Sequence, residues 1–207
     1  MALGLQTEAG GGENFLPVVK YDARAGRVFR IDRHQDSAGN WSSDDVDITS
    51  TFQGAFDLGA IEVGWVYFVA GQGPSWALVP LGQPLPARPS ENHKQCFRLK
   101  VKLGKACGGD VREFASQAKS VIGAVDKLHD AYTAGLKDNP GKVPVVAMTG
   151  TTAIKSTGKG QTSTNYAPIF EIKSWVDRPA DFDAAPAATP EPEPVAATVA
   201  GDDDTEF

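Results

Sequence analysis

Apolar and polar positions alternate along much of the chain with a period of two, the mark of strands that bury one face. The clearest run is Gln95 to Gly104, in which Phe97, Leu99, Val101 and Leu103 point one way and Arg98, Lys100 and Lys102 the other. Phe15 to Tyr21 and Arg27 to Arg33 read as two strands about a turn at Asp22 to Gly26, and His34 to Asp45 as a polar connection. From Val46 to Leu58, apolar Val46, Ile48, Phe52, Phe56 and Leu58 alternate with Asp47, Thr49, Gln53 and Asp57, which predicts one half-buried strand. Ala60 to Ala70 is almost wholly apolar and reads as a central strand; after a turn signal at residues 71–74, Trp76 to Leu81 reads as a short strand. Residues 83–92 hold three prolines and read as a loop.

The period changes once. Over Asp110 to Gly135, the positions Val111, Phe114, Ala115, Ala118, Ile122, Val125, Leu128 and Tyr132 recur at intervals that suit a helix stripe. Asp110 with Glu113 fits a capping box and Gly135 a helix stop. Val143 to Met148 and Tyr166 to Asp177 return to strand pattern. In the latter, Pro168, Phe170, Ile172, Ser174 and Val176 oppose Ile169, Glu171, Lys173 and Trp175. Between them lie 17 residues rich in Thr, Ser and Gly, Thr149 to Asn165, with Lys155, Lys159 and no acid. They predict a hairpin with a long basic loop, of a length that is usually functional or disordered. The fold class is therefore mainly β with one prominent helix, over residues 15–178. Residues 1–14 are Gly-rich and 179–201 rich in Ala, Pro and Glu; both are expected to be disordered, with an acidic tip at 202–207.

Composition supports one globular domain with tails: 207 residues, 41% hydrophobic and 22% charged, which excludes a fully disordered chain, a coiled coil and a collagen-like chain. No run approaches the roughly 18 apolar residues of a membrane span. Met1 to Asn14 lacks the basic and apolar regions of a secretory signal, and two cysteines make no disulfide framework. The expectation is a cytoplasmic protein, in a bacterial host cell, without a membrane partner.

Charge changes the picture more. The net charge is −6, yet residues 180–207 hold eight acids and no base, which leaves the rest at +2. Residues 1–87 carry 5 bases against 10 acids, and residues 88–179 carry 15 bases against 8 acids. A basic region followed by an acidic tail points to a polyanion ligand and to a tail that competes with it or recruits a partner; a plain solvated acidic end has the same layout.

Catalytic patterns are missing. There is no phosphate-binding loop (Gly158-Lys159-Gly160 is a fragment of one) and no nucleophile elbow. His93, Cys96 and Cys107 lack a fourth zinc ligand. The expectation is a binding protein rather than an enzyme, with no cofactor and no metal; a nuclease using Asp44, Asp45 and Asp47 is the enzymatic alternative.

The binding chemistry is more legible. Arg98, Lys100 and Lys102 project from one sheet face about 6.5–7 Å apart, near the phosphate pitch of a single strand. Such a row neutralises successive phosphates and releases counterions, although lysines on a wet edge strand also block aggregation. Lys155 and Lys159 extend the basic surface, and Arg30 and Lys173 are further outward cations. Trp175, Trp76 and Tyr166 are candidates for stacking bases, while Trp65 and Tyr67 read as core.

The end of the chain supplies the specific clue. Asp202-Asp203-Asp204, then Thr205, Glu206 and Phe207, resembles the C-terminal tip of single-stranded DNA-binding proteins. Bacterial members end Asp-Asp-Asp-Ile-Pro-Phe, and T7-like phage members end in an acidic run plus Phe. The resemblance covers this tip and the general layout of basic body, linker and acidic end. It implies a phage or mobile-element member with an elaborated OB-fold, a partly open five-stranded barrel with extra strands. It also implies sequence-independent single-stranded DNA binding in replication, recombination or repair, with a tail that competes with DNA. Phe207 would anchor in a partner's pocket and Asp202, Asp203 and Asp204 would meet its basic rim. Thr205 and Glu206 depart from the bacterial Ile-Pro pair. The implied partners are single-stranded DNA, replication or recombination proteins, and a second copy of the chain. The alternative is a virion structural or assembly protein acting through protein contacts.

Overall fold

A computed structural model describes residues 16–69, 73–158 and 161–184. Ten strands precede and follow one helix: β1 (Val18–Asp22), β2 (Arg27–Gln35), β3 (Trp41–Asp47), β4 (Gln53–Phe56), β5 (Glu62–Tyr67), β6 (Ser75–Pro80), β7 (Lys94–Leu103), β8 (Val111–Ser116), α1 (Lys119–Gly135), β9 (Lys142–Gly158) and β10 (Gln161–Asp177). The strands join in one mixed sheet in the order β10-β9-β4-β7-β8-β1-β2-β3, with β5 and β6 branching from β7. β1 and β8 run parallel, and the other pairs run antiparallel. The ladder does not close. Its β10 end nevertheless curls back to β1: the Tyr166 amide donates to the Ala23 carbonyl at 2.6 Å, and the Tyr21 hydroxyl donates to the Tyr166 carbonyl at 3.0 Å.

The concave side holds the core. Phe56, Phe97, Phe114 and Phe170 meet there with centroids 5.4–6.2 Å apart, mostly edge to face. Pairs in this geometry add roughly 0.5–1.5 kcal/mol each beyond their buried area. The apolar half of the β7 alternation, Phe97, Leu99, Val101 and Leu103, is buried in this cluster as its pattern requires. α1 lies against β10 and buries Val121, Val125, Leu128 and Tyr132, a single stripe along its length. Among the described residues no helix is long and apolar enough to cross a membrane.

Several local expectations are corrected. The helix starts at Lys119, not Asp110, because Val111 to Ser116 is β8. Arg112 and Phe114 are buried on alternate positions, and the segment pairs with β7 from Lys102↔Val111 to Phe97↔Ser116. The capping box is therefore absent; instead the Ser116 hydroxyl accepts the Ala118 amide at 3.1 Å before the first turn. The polar connection after Arg33 is a hairpin: β2 runs on to Gln35 and β3 returns along it, about a turn in which Asp36 accepts the amides of Ala38 and Asn40 at 2.9 Å. The single strand expected over 46–58 is split between β3 and β4 by a turn at Ile48 to Thr51. Among the described residues of the expected long loop, 149–158 and 161–165 are strand. β9 and β10 pair from Lys142↔Asp177 to Gly158↔Gln161, with register shifts at Ile169/Phe170 and at Ile172/Ser174.

The chain also continues to fold beyond residue 178. Pro179 leads into a 3-10 turn, Ala180–Phe182, whose Phe182 side chain is fully buried. One compact unit thus takes in Leu16–Ala184. The expected disorder of residues 1–14, and of the linker beyond residue 184, falls outside the described residues.

Candidate nucleic-acid interface

Alternation in β7 places Arg98, Lys100 and Lys102 together on the convex face, opposite the core. The neighbours on that face come from register: Glu62 and Ala115 lie beside Arg98, Glu113 beside Lys100, and Ala55 and Val111 beside Lys102. The β5–β6 hairpin rises next to the Arg98 end. There Trp76 is half-buried, and Phe68 (55% exposed) meets its ring edge-on at 6.0 Å. The Arg98 guanidinium sits 5.4 Å from the Trp76 ring centroid, a cation–π contact. Basic and aromatic groups therefore share one face.

Each cation of the row has an internal partner. Arg98 pairs with Glu62 at 2.8 Å and more loosely with Glu113 at 3.9 Å. Burial pushes the Glu113 carboxyl above its ordinary value; Arg98 opposes that rise and Glu62 adds to it. Lys100 donates to the carbonyl of Phe182, and Lys102 forms an ion pair with Asp181. Both contacts come from the segment after β10. That segment crosses the convex face and sets Phe182 among Ala55, Val111 and Val143, apart from the main core. Arg178 ties it down, pairing with buried Asp57 and with Asp183 and standing 5.5 Å from the Phe182 ring centroid. Hydrogen bonding to Asp57 and Asp183 raises the Arg178 pKa, and the bond from Arg178 holds Asp183 below the usual carboxylate value.

The remaining expected residues separate. Lys155 is exposed on the β9–β10 arm, and Lys159 lies outside the described residues, as do Asp202, Asp203, Asp204 and Phe207. Lys173 is exposed but pairs with Glu171. Tyr166 is half-buried, its backbone spent on the link to β1. Arg30 is not an outward cation. It is half-buried, donating to the Cys107 carbonyl at 3.2 Å and pairing with Asp32 at 2.7 Å. Burial pushes Asp32 up, but hydrogen bonds from Arg30 and Arg112 outweigh it and leave its carboxyl below the usual value.

Trp175 is also misplaced by its sequence pattern. A bulge in the β9–β10 register between Ile172 and Ser174 turns the strand, so Trp175 joins Phe170 and Ile172 on the core side. It stacks on Tyr132 of α1 with centroids 5.8 Å apart and planes 24° apart. Gly135 makes room for it: a Cβ there would stand 2.5 Å from the indole Cζ2. Trp65, read as core, is half-buried; its indole donates to the Pro86 carbonyl at 2.9 Å and Arg88 covers its ring.

Phe68, Asp57, Arg178, Asp181 and Phe182 escaped the sequence reading. Phe68 belonged to an apolar run that gave no sign of ending in solvent. A lone Phe182 flanked by two aspartates was the available signal for the last group. Among the described residues no three His, Cys, Asp or Glu side chains group to hold a metal ion; Asp47 instead pairs with Arg27 at 2.9 Å. Compared with protein-family models, curated proteins and solved structures, the chain matches none.

Proposed function

We propose that the protein binds single-stranded DNA without sequence preference, through the convex face of β7 and β8 and the two hairpin arms beside it. The observation that carries the reading is the shared face. Arg98, Lys100 and Lys102 stand at phosphate pitch, and Trp76 and Phe68 stand at one end of the row. Phosphate neutralisation supplies affinity, and stacking contributes roughly 1–3 kcal/mol per base.

An OB-like barrel is the fold we infer. The bent pair β4 and β5, then β7 and β8, form an antiparallel meander; α1 follows, and β9 of the last hairpin returns to β4. This supports the chain order of an OB barrel, with the difference that β8 pairs next with β1, and β1 in turn with β2, rather than with the last strand. OB domains bind oligonucleotides on their second and third strands and on the loops after the first and fourth strands. Here those parts are β7 and β8, the β5–β6 arm, and the β9–β10 arm with Lys155 and Lys159. In the same reading the acidic tip competes with DNA and recruits replication or recombination proteins, and the protein is not an enzyme.

The test is fluorescence anisotropy of a labelled dT oligomer against salt, with a duplex as competitor. Three neutralised phosphates give a slope of about −2 in log K against log[salt], and duplex competes poorly. Absence of single-strand binding at low salt overturns the reading.

A further inference from the structure

The segment that crosses the convex face has an unusual set of contacts. Its one aromatic ring, Phe182, is packed against the sheet among Ala55, Val111 and Val143 and is 1% exposed, with the Arg178 guanidinium over it at 5.5 Å from its centroid. Its oxygens satisfy the two lysines: the Phe182 carbonyl takes Lys100 and the Asp181 carboxylate takes Lys102. A planar group between a guanidinium and an apolar floor, with anionic or carbonyl oxygens on two cations one pitch apart, is also the outline of a nucleotide in a strand.

Resting on the single-strand reading above, we propose that Pro179–Ala184 occupies a binding slot for one nucleotide, which the incoming strand takes over. The base replaces the Phe182 ring over Ala55, Val111 and Val143, and its flanking phosphates replace the strap's oxygens on Lys100 and Lys102. Arg178 stays behind. Its two-point pairing with the buried Asp57 fixes it to the face, and Pro179, next in sequence, is the hinge. The strap is suited to leave. Phe182 belongs to a small cluster separate from the main core, and the two ion pairs that departure must break, Asp181 with Lys102 and Asp183 with Arg178, are both partly solvated. Inside the strap the Phe182 amide donates to the Pro179 carbonyl and the Asp183 amide to the Ala180 carbonyl, so strap opening is read directly by hydrogen exchange.

The experiment uses the full chain. Hydrogen exchange of residues 180–184 is followed with and without a saturating dT oligomer, and DNA affinity is measured for the unaltered chain and for the pair Asp181→Asn, Phe182→Ala. The expected result is faster exchange of the Phe182 and Asp183 amides when DNA binds, and at least tenfold tighter binding by the variant. DNA binding with unchanged or slower exchange in the strap, or with equal or weaker affinity in the variant, overturns the slot and leaves the single-strand reading standing. Absence of binding by both chains overturns the reading and the slot together. The exchange measurement needs no substitution, so a variant that fails to fold does not spare the proposal.

Discussion

Arg178 donates from Nη2 to Oδ2 of Asp57 at 2.7 Å and from Nε to Oδ1 at 3.3 Å, joining residues 121 apart in the sequence. Asp57 sits in the short segment after β4 and is 3% exposed, while the Arg178 side chain keeps about a third of its surface in water. The pair fixes the exit of β10 to the start of the meander. It is the post from which the convex-face segment departs.

Removing one partner leaves the other buried without its counter-charge. Arg178→Ala should destabilise the fold by about 2–4 kcal/mol, below the upper range for fully buried pairs because the arginine is partly solvated. Asp57→Asn combined with Arg178→Gln should cost less than the two single changes summed. Urea unfolding of the parent, Arg178→Ala, the two single variants of the pair and the double variant measures both. Additive costs would show that the two residues act separately.

Trp175 is a structural residue in this account. Trp175→Ala should cost about 2–4 kcal/mol, since the ring covers Tyr132 and the end of α1 while keeping part of its surface exposed. Gly135→Ala should cost about 1–3 kcal/mol, because the added methyl meets the indole. Thermal unfolding of both variants checks this, and wild-type stability in Trp175→Ala would place the ring outside the core.

Two carboxyl groups give opposite pH trends. Glu113 is raised by burial, so the folded state holds its proton longer; stability falls as pH rises from the unfolded value, about 4.3, through the folded one. Asp183 is lowered by the Arg178 hydrogen bond. Its contribution is complete above the unfolded value, about 3.9, and is lost as pH falls through the folded one. Unfolding midpoints should therefore fall less steeply in Glu113→Gln than in the parent as pH rises from about 4.3, and less steeply in Asp183→Asn as pH falls below about 3.9.

The β7 alternation was readable because its two faces meet different surroundings, core on one side and charge on the other. The start of α1 was not, because Val111, Phe114 and Ala115 fit helical spacing as well as a strand; the choice is made by pairing with β7, a contact between distant residues. The β9–β10 arm was hidden for another reason. Most of the stretch from Thr149 to Lys155 faces solvent, so no apolar alternation marks it, although its threonines suit a strand. In the candidate site, sequence located the cation row and Trp76. It misassigned Trp175, whose face depends on a bulge, and Arg30, whose partners Asp32 and the Cys107 carbonyl lie on β2 itself and before β8. The convex-face segment gave no periodicity at all.

The site makes a separable demand on the four tryptophans. Trp76 stands on the proposed binding face and Trp175 under α1. The most direct measurement is tryptophan quenching by a dT oligomer at low salt, in the parent and in Trp76→Phe and Trp175→Phe. Quenching is expected in the parent, with little change in Trp175→Phe and with loss of most of the signal and weaker binding in Trp76→Phe. Quenching that survives in Trp76→Phe and disappears in Trp175→Phe would contradict it, as would no quenching and no binding in the parent.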